Sequence, residues 1–97
     1  MPPASRLTDI AVGHGSFIPS DVIQASPNVI TCGLAQHRKT DAIRAHPSPS
    51  PSPPHARHAA CGSSTVFVND LNLVRIGDCV DCGGFLIQGC GTVIVGG

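Results

Sequence analysis

Three times along this chain an arginine is followed three residues later by an aspartate: Arg6-Leu7-Thr8-Asp9, Arg38-Lys39-Thr40-Asp41 and Arg75-Ile76-Gly77-Asp78. The residue before each Asp is a small Thr or Gly. Three apolar runs of β type accompany the phrases: Asn28-Val29-Ile30-Thr31, Thr65-Val66-Phe67-Val68 and Thr92-Val93-Ile94-Val95. A repeated unit this short cannot bury its apolar face alone, so the copies must pack on one another. In 97 residues that leaves room for one all-β domain, spanning 1–97 and built from short hairpins with pseudo-threefold symmetry.

The second and third phrases each follow an apolar run through a turn signal. Val29 to Cys32 leads through Gly33-Leu34 into Ala35 to Arg38, and Val66 to Val68 leads through Asn69-Asp70 into Leu71 to Ile76. Gly, Asn and Asp tolerate positive φ, so both segments read as β-hairpins with short turns. The chain opens on a return strand, Ala4 to Leu7, that has no outgoing partner. It closes on an outgoing strand, Val93 to Val95, that has no return. Pairing the two ends completes a third hairpin and leaves fewer bare strand edges. Within each phrase the Asp is expected to accept turn N–H groups and to pair with an Arg, either its own or a neighbour's. Nothing marks Asp9, Asp41 or Asp78 as catalytic.

Such a domain needs support beyond its core. The chain has 11 Gly and 9 Pro, no Trp or Tyr and only 3 Phe. Small domains of this kind lean on a metal, disulfides or a partner. Formal net charge is zero and 12% of residues are charged, which lacks the basic footprint of nucleic-acid binding. No uncharged apolar run approaches the length of a membrane span, and Met1-Pro2-Pro3-Ala4-Ser5-Arg6 lacks the apolar core of a signal peptide. Synthesis in the cytosol is expected, where the 5 cysteines are thiols or metal ligands rather than disulfides. On this reading Cys79 is a packing residue at the position of Ile10 and Ala42. Cys32, Cys61 and Cys90 are free thiols.

A candidate ligand follows each Asp at nearly the same offset. His14 stands five residues after Asp9, His46 five after Asp41, and Cys82 four after Asp78. In a closed threefold arrangement these positions converge near the axis. The Pro/Ser-rich insertion at 47–54 reads as an extended surface loop. It brings in His55 as a fourth ligand, with His58 as the alternative. Three imidazoles and one thiolate make a closed tetrahedral shell of the structural-zinc type, with no position left for a reacting water. One such zinc would tie all the repeats together. His37 and His58 read as surface or hydrogen-bonded residues. The Cys79-Val80-Asp81-Cys82 spacing is a lone CxxC, without the second pair or βαβ pattern that would give it meaning.

The phrases Pro3-Ala4-Ser5-Arg6, Gly13-His14-Gly15, Gly62-Ser63-Ser64-Thr65-Val66-Phe67-Val68-Asn69, Arg75-Ile76-Gly77-Asp78 and Cys82-Gly83-Gly84 together resemble the PAAR-repeat proteins, spike-tip proteins of type VI secretion systems and contractile phage tails. The corresponding segments Ala35-Gln36-His37-Arg38 and Leu73-Val74-Arg75 keep only the Arg of the eponymous motif. The resemblance implies a cone of short β-hairpins that caps a trimeric β-helical spike, one chain per trimer. It also implies a zinc near the sharp tip, held by His14, His46, His55 and Cys82. The expected role is a structural, membrane-piercing tip that touches the target membrane transiently, with no transmembrane segment and no enzymatic activity. The chain ends at Gly97 straight after its last strand, so a bare tip is expected, destined for a virion tail or a secreted spike. A zinc-stabilised protein-binding adaptor, using the Pro/Ser loop as its contact, is the alternative of another class. A cysteine hydrolase built on Cys82 would need an open site and an activated thiolate.

Overall fold

The computed structural model describes residues 2–12, 19–46, 55–81 and 83–97. Ten short strands are found there: β1 (Pro3–Ala4), β2 (Ile10–Ala11), β3 (Ser20–Asp21), β4 (Ile30–Thr31), β5 (Leu34–Ala35), β6 (Ala42–His46), β7 (His55–His58), β8 (Phe67–Val68), β9 (Leu71–Asn72) and β10 (Cys90–Ile94). They pair antiparallel as five two-stranded ladders, and the described residues contain no helix.

Two of the ladders are the expected hairpins. In the β8–β9 hairpin Asn69 and Asp70 have φ of 51° and 66°, and in β4–β5 Cys32 and Gly33 have φ of 51° and 80°. Two left-handed residues in succession make the type I′ turn, whose twist suits a hairpin. The first turn therefore falls one residue before the expected Gly33-Leu34, because Cys32 itself takes the left-handed conformation. The third hairpin joins the two ends of the chain, as expected. Ile94 of β10 stands opposite Pro3 of β1, and Val95 N–H donates to Pro2 C=O at 3.0 Å.

Each Arg/Asp phrase is a self-contained turn. The Arg backbone N–H and Nε both donate to one carboxylate oxygen and Nη2 donates to the other, at 2.7–3.0 Å in all three copies. The Asp N–H closes the turn onto the Arg C=O at 3.0, 3.0 and 3.1 Å. Only a planar two-pronged cation can fill this fork, which explains Arg rather than Lys. The residue before the Asp is left-handed in all three copies: Gly77 takes φ of 90° without strain, whereas the β-branched Thr8 and Thr40 are held at 74° and 78° by the turn around them.

The three phrases are joined at a closed triangle. Ser5 N–H donates to Val74 C=O, Val74 N–H to His37 C=O, and His37 N–H back to Ser5 C=O, at 2.9, 3.1 and 3.1 Å. All three residues are fully buried. Each immediately precedes the Arg of its phrase. Gln36 lies over the triangle: its amide nitrogen donates to the carbonyls of Ser5, His37 and Val74 at 2.7, 2.9 and 3.4 Å. Its oxygen accepts from the Thr31 hydroxyl at 2.6 Å.

Further β-bridges run round the ring in the same cyclic sense. Arg6 bridges to Gln36, Arg38 to Leu73 and Arg75 to Ala4. One level on, Val22 bridges to Ile43, Ala59 to Val80 and Leu86 to Ala11. Those last six residues, with Val74, are the main buried core. A second, smaller cluster of Ala4, Val68, Leu73 and Val95 lies among the hairpins.

Side chains at the three junctions differ where the backbones agree. Asp21 meets Arg44 at 2.7 Å and His58 meets Asp81 at 3.2 Å, while the third junction sets Val12 beside Phe85. The Gln24 side-chain Oε1 accepts from Ala42 N–H at 2.9 Å, and that of Gln88 accepts from Ile10 N–H at 3.0 Å. The corresponding pair at the remaining junction is Cys61 and Cys79, joined as a disulfide. Likewise the Ser26 hydroxyl donates to Asn69 at 2.6 Å and that of Ser63 to Gly96 C=O at 2.7 Å, and the third such pair is the disulfide Cys90–Cys32. The expectation of free thiols at Cys32, Cys61 and Cys90, and of a mere packing role for Cys79, is corrected. Ring closure carries residues 58 and 18 positions apart to Cα separations of 6.2 and 5.3 Å, within disulfide reach.

Asp41 is buried and satisfies both its Arg and its turn. Removing it strands a cation with little solvent, so Asp41→Ala is expected to lose about 3 kcal/mol in urea unfolding. Burial pushes the His37 imidazole down to about 4, against a smaller upward pull from the Asp41 carbonyl and from Asp41 and Asp9. The unfolded His takes a proton near pH 6.5 and the folded one resists. Stability from this residue is therefore complete above pH 6.5 and falls as pH drops toward 4, by about 3 kcal/mol. His37→Val, which copies Val74, is expected to flatten that part of the stability–pH curve relative to wild type.

Candidate functional site

Two ends of the ring carry features that the core does not use. At one end is the β6–β7 hairpin. Ala42 stands opposite His58, Ile43 opposite Arg57, and, after a register shift, His46 opposite His55. Antiparallel pairing thus brings two of the four expected ligands into cross-strand register, one at the end of β6 and the other at the start of β7. His14 and Cys82 lie outside the described residues.

The chain flanking those two is tied to the same hairpin. Val12, two residues before His14, accepts a hydrogen bond from Nη2 of buried Arg57, whose Nη1 donates to the Ser20 hydroxyl at 2.7 Å. Asp81, just before Cys82, donates its N–H to His58 C=O at 3.0 Å. Its carboxylate accepts from His58 N–H and lies 3.2 Å from His58 Nδ1. Val12 and Asp81 are thus both tied to β7, the strand that carries His55, and imidazole and thiolate donors suit zinc. Among the described residues alone, no group of three His, Cys, Asp or Glu is placed to hold a metal. His58 is engaged with Asp81, and His37 sits on the axis with Nε2 3.4 Å from Asp41 C=O.

At the hairpin end, the first strand of each hairpin turns one large apolar side chain to solvent. Ile30 is 62% exposed, Phe67 56% and Ile94 47%. Their partners across the ladders are Ala35, Asn72 and Pro3. The three occupy one register position on three hairpins, with Val29 and Val66 exposed beside them. Ile23, Phe85 and Ile87, outside the three hairpins, are similarly exposed, and what sets the hairpin residues apart is their repetition at one register position. The sequence carried the signal in the middle residue of Val-Ile-Thr, Val-Phe-Val and Val-Ile-Val. What it lacked was the fact that this residue faces out.

A family model described as the PAAR motif matches residues 12–88 of the 97. No curated protein matches the chain.

A zinc shared by His14, His46, His55 and Cys82, as the sequence leads one to expect, predicts about one zinc per chain after purification without chelator, read by elemental mass spectrometry. His46→Ala combined with His55→Ala is expected to lose that metal and to lower the melting temperature.

Proposed function

The chain belongs to the PAAR-motif family, and on that footing we propose that it is a structural tip that caps the blunt end of a trimeric β-helical spike in a contractile injection apparatus. Proteins carrying this motif are spike-tip proteins of such systems. The observation that carries the reading is the base: three hairpins in cyclic register, each offering one large exposed apolar side chain. One chain with pseudo-threefold symmetry fits three identical subunits, so a single copy covers one trimer. Ile30, Phe67 and Ile94 are the docking anchors. They lose water on binding, and the hairpins cover strand ends that the spike would otherwise leave bare.

The opposite end carries the β6–β7 hairpin, the pointed end of the cone in this reading. A structural zinc on His14, His46, His55 and Cys82 holds that point. A closed four-ligand shell leaves no position for substrate, so the role is mechanical and not enzymatic. The tip is made in the cytosol, carried outward as part of a virion tail or a secreted spike, and touches the target membrane only during firing. A formal net charge of zero suits a protein partner better than nucleic acid.

Mixed with its cognate spike, the chain is expected to form a complex of one tip per trimer in light scattering. Phe67→Glu places a charge in the desolvated contact. It is expected to weaken that complex about 30-fold or more while leaving the melting temperature within a few degrees of wild type. Three chains per trimer, or full affinity for the variant, would sink this reading.

A further inference from the structure

The two disulfides stand at repeat positions where the other junctions use hydrogen bonds. Cys90 occupies the place of Ser26 and Ser63, and its partner Cys32 the place of Asn69 and Gly96. Cys61 occupies the place of Gln24 and Gln88, and its partner Cys79 the place of Ala42 and Ile10. Each of these sites thus carries a link between repeats, and at one junction of each kind the link is covalent. The Cys32–Cys90 link is the more consequential. It ties β10 to the turn of the β4–β5 hairpin, and β10 pairs with β1 from the far end of the chain without any connecting turn. Cys32 is exposed and Cys90 is buried, so a thiol from solution meets Cys32 first.

We propose that Cys32–Cys90 and Cys61–Cys79 are redox-cleavable clasps that close the hairpin ring, and that Cys32 is the point at which a small thiol opens it. The thiolate of reduced glutathione attacks Cys32 Sγ, a new S–S bond forms there, and Cys90 leaves as a thiolate that takes up a proton. A second glutathione thiolate attacks the mixed disulfide. It releases Cys32 as a thiolate and departs as oxidised glutathione, so two electrons pass to the protein. Closure is the reverse, with oxidised glutathione as acceptor. An oxidising compartment holds the ring shut and a reducing one loosens β10. Because β10 carries Ile94, opening also removes one of the three proposed docking anchors. That last consequence rests on the function proposed above, whereas the clasps themselves do not.

The test begins with the wild-type chain equilibrated in oxidised glutathione, denatured with chelator present, alkylated and mapped by mass spectrometry. Cys32 is expected joined to Cys90 and Cys61 to Cys79, with Cys82 alone alkylated. Reduction with a phosphine is expected to lower the melting temperature by about 10 °C or more. The variant Cys32→Asn, Cys90→Ser, Cys61→Gln, Cys79→Ala installs the hydrogen-bonding residues of the other junctions and keeps Cys82. It is expected to melt at the same temperature with and without reductant. Should the variant not fold, the order of glutathione adducts on wild type decides the matter, with Cys32 expected before Cys90. Other pairings, an unchanged wild-type melting temperature on reduction, an equal reductant shift in the folded variant, or adducts first on Cys90 would each overturn the proposal.

Discussion

The triangle of backbone hydrogen bonds among Ser5, His37 and Val74 is the constraint on which the other contacts depend. Three strands can donate round a closed circuit only if each is rotated by the same sense relative to the last. That geometry fixes where every following residue lies. The Arg turns come next in each copy, then the left-handed Thr or Gly, then the ring of core residues. The circuit is buried, so its N–H groups have no water to fall back on. Gln36 sits where its counterparts are Leu73 and Ala4, and one long polar side chain fits over the axis because one of those counterparts is small. A symmetrical solution with three glutamines would crowd the same point.

The parts of this fold legible in the sequence are those where the backbone imposes a residue type. Arg and Asp recur because the turn needs a fork and an acceptor, and Gly77 suits the positive φ that all three copies share. The unpaired end strands could be matched for a similar reason, since a closed circuit of hairpins leaves no other partner. What stayed hidden depends on side chains meeting across junctions. Cys32 and Cys90 are 58 positions apart, and their pairing follows only when the register of all three copies is known. The same holds for Gln24 against Cys61. A prior based on compartment pointed to thiols, whereas local geometry brings the sulfurs together. Gln36 gave no signal at all, since a polar residue followed by His37 and Arg38 reads as solvent-facing.

The candidate sites divide along the same line. His46 and His55 sit in cross-strand register because antiparallel pairing of β6 and β7 requires some such pair, and the offset from Asp41 located the first of them. The apolar anchors at the other end were present in the sequence as ordinary β residues. Their outward direction depends on which face the smaller core cluster of Ala4, Val68, Leu73 and Val95 occupies. Alternation along a strand only two residues long is too brief to show that from composition.

The antiparallel pairing of β1 with β10 has a topological consequence. The hydrogen-bonded circuit is the same whether a hairpin is joined by a type I′ turn or by nothing, since β10 and β1 hold the same register as β4 with β5. The circuit has no first repeat in any physical sense, only a place where the polypeptide happens to be interrupted. A circular permutant that joined Gly97 to Pro2 and was cut at Cys32-Gly33 or Asn69-Asp70 would thread the same bonds. Chain order and spatial order are, for this molecule, separate properties.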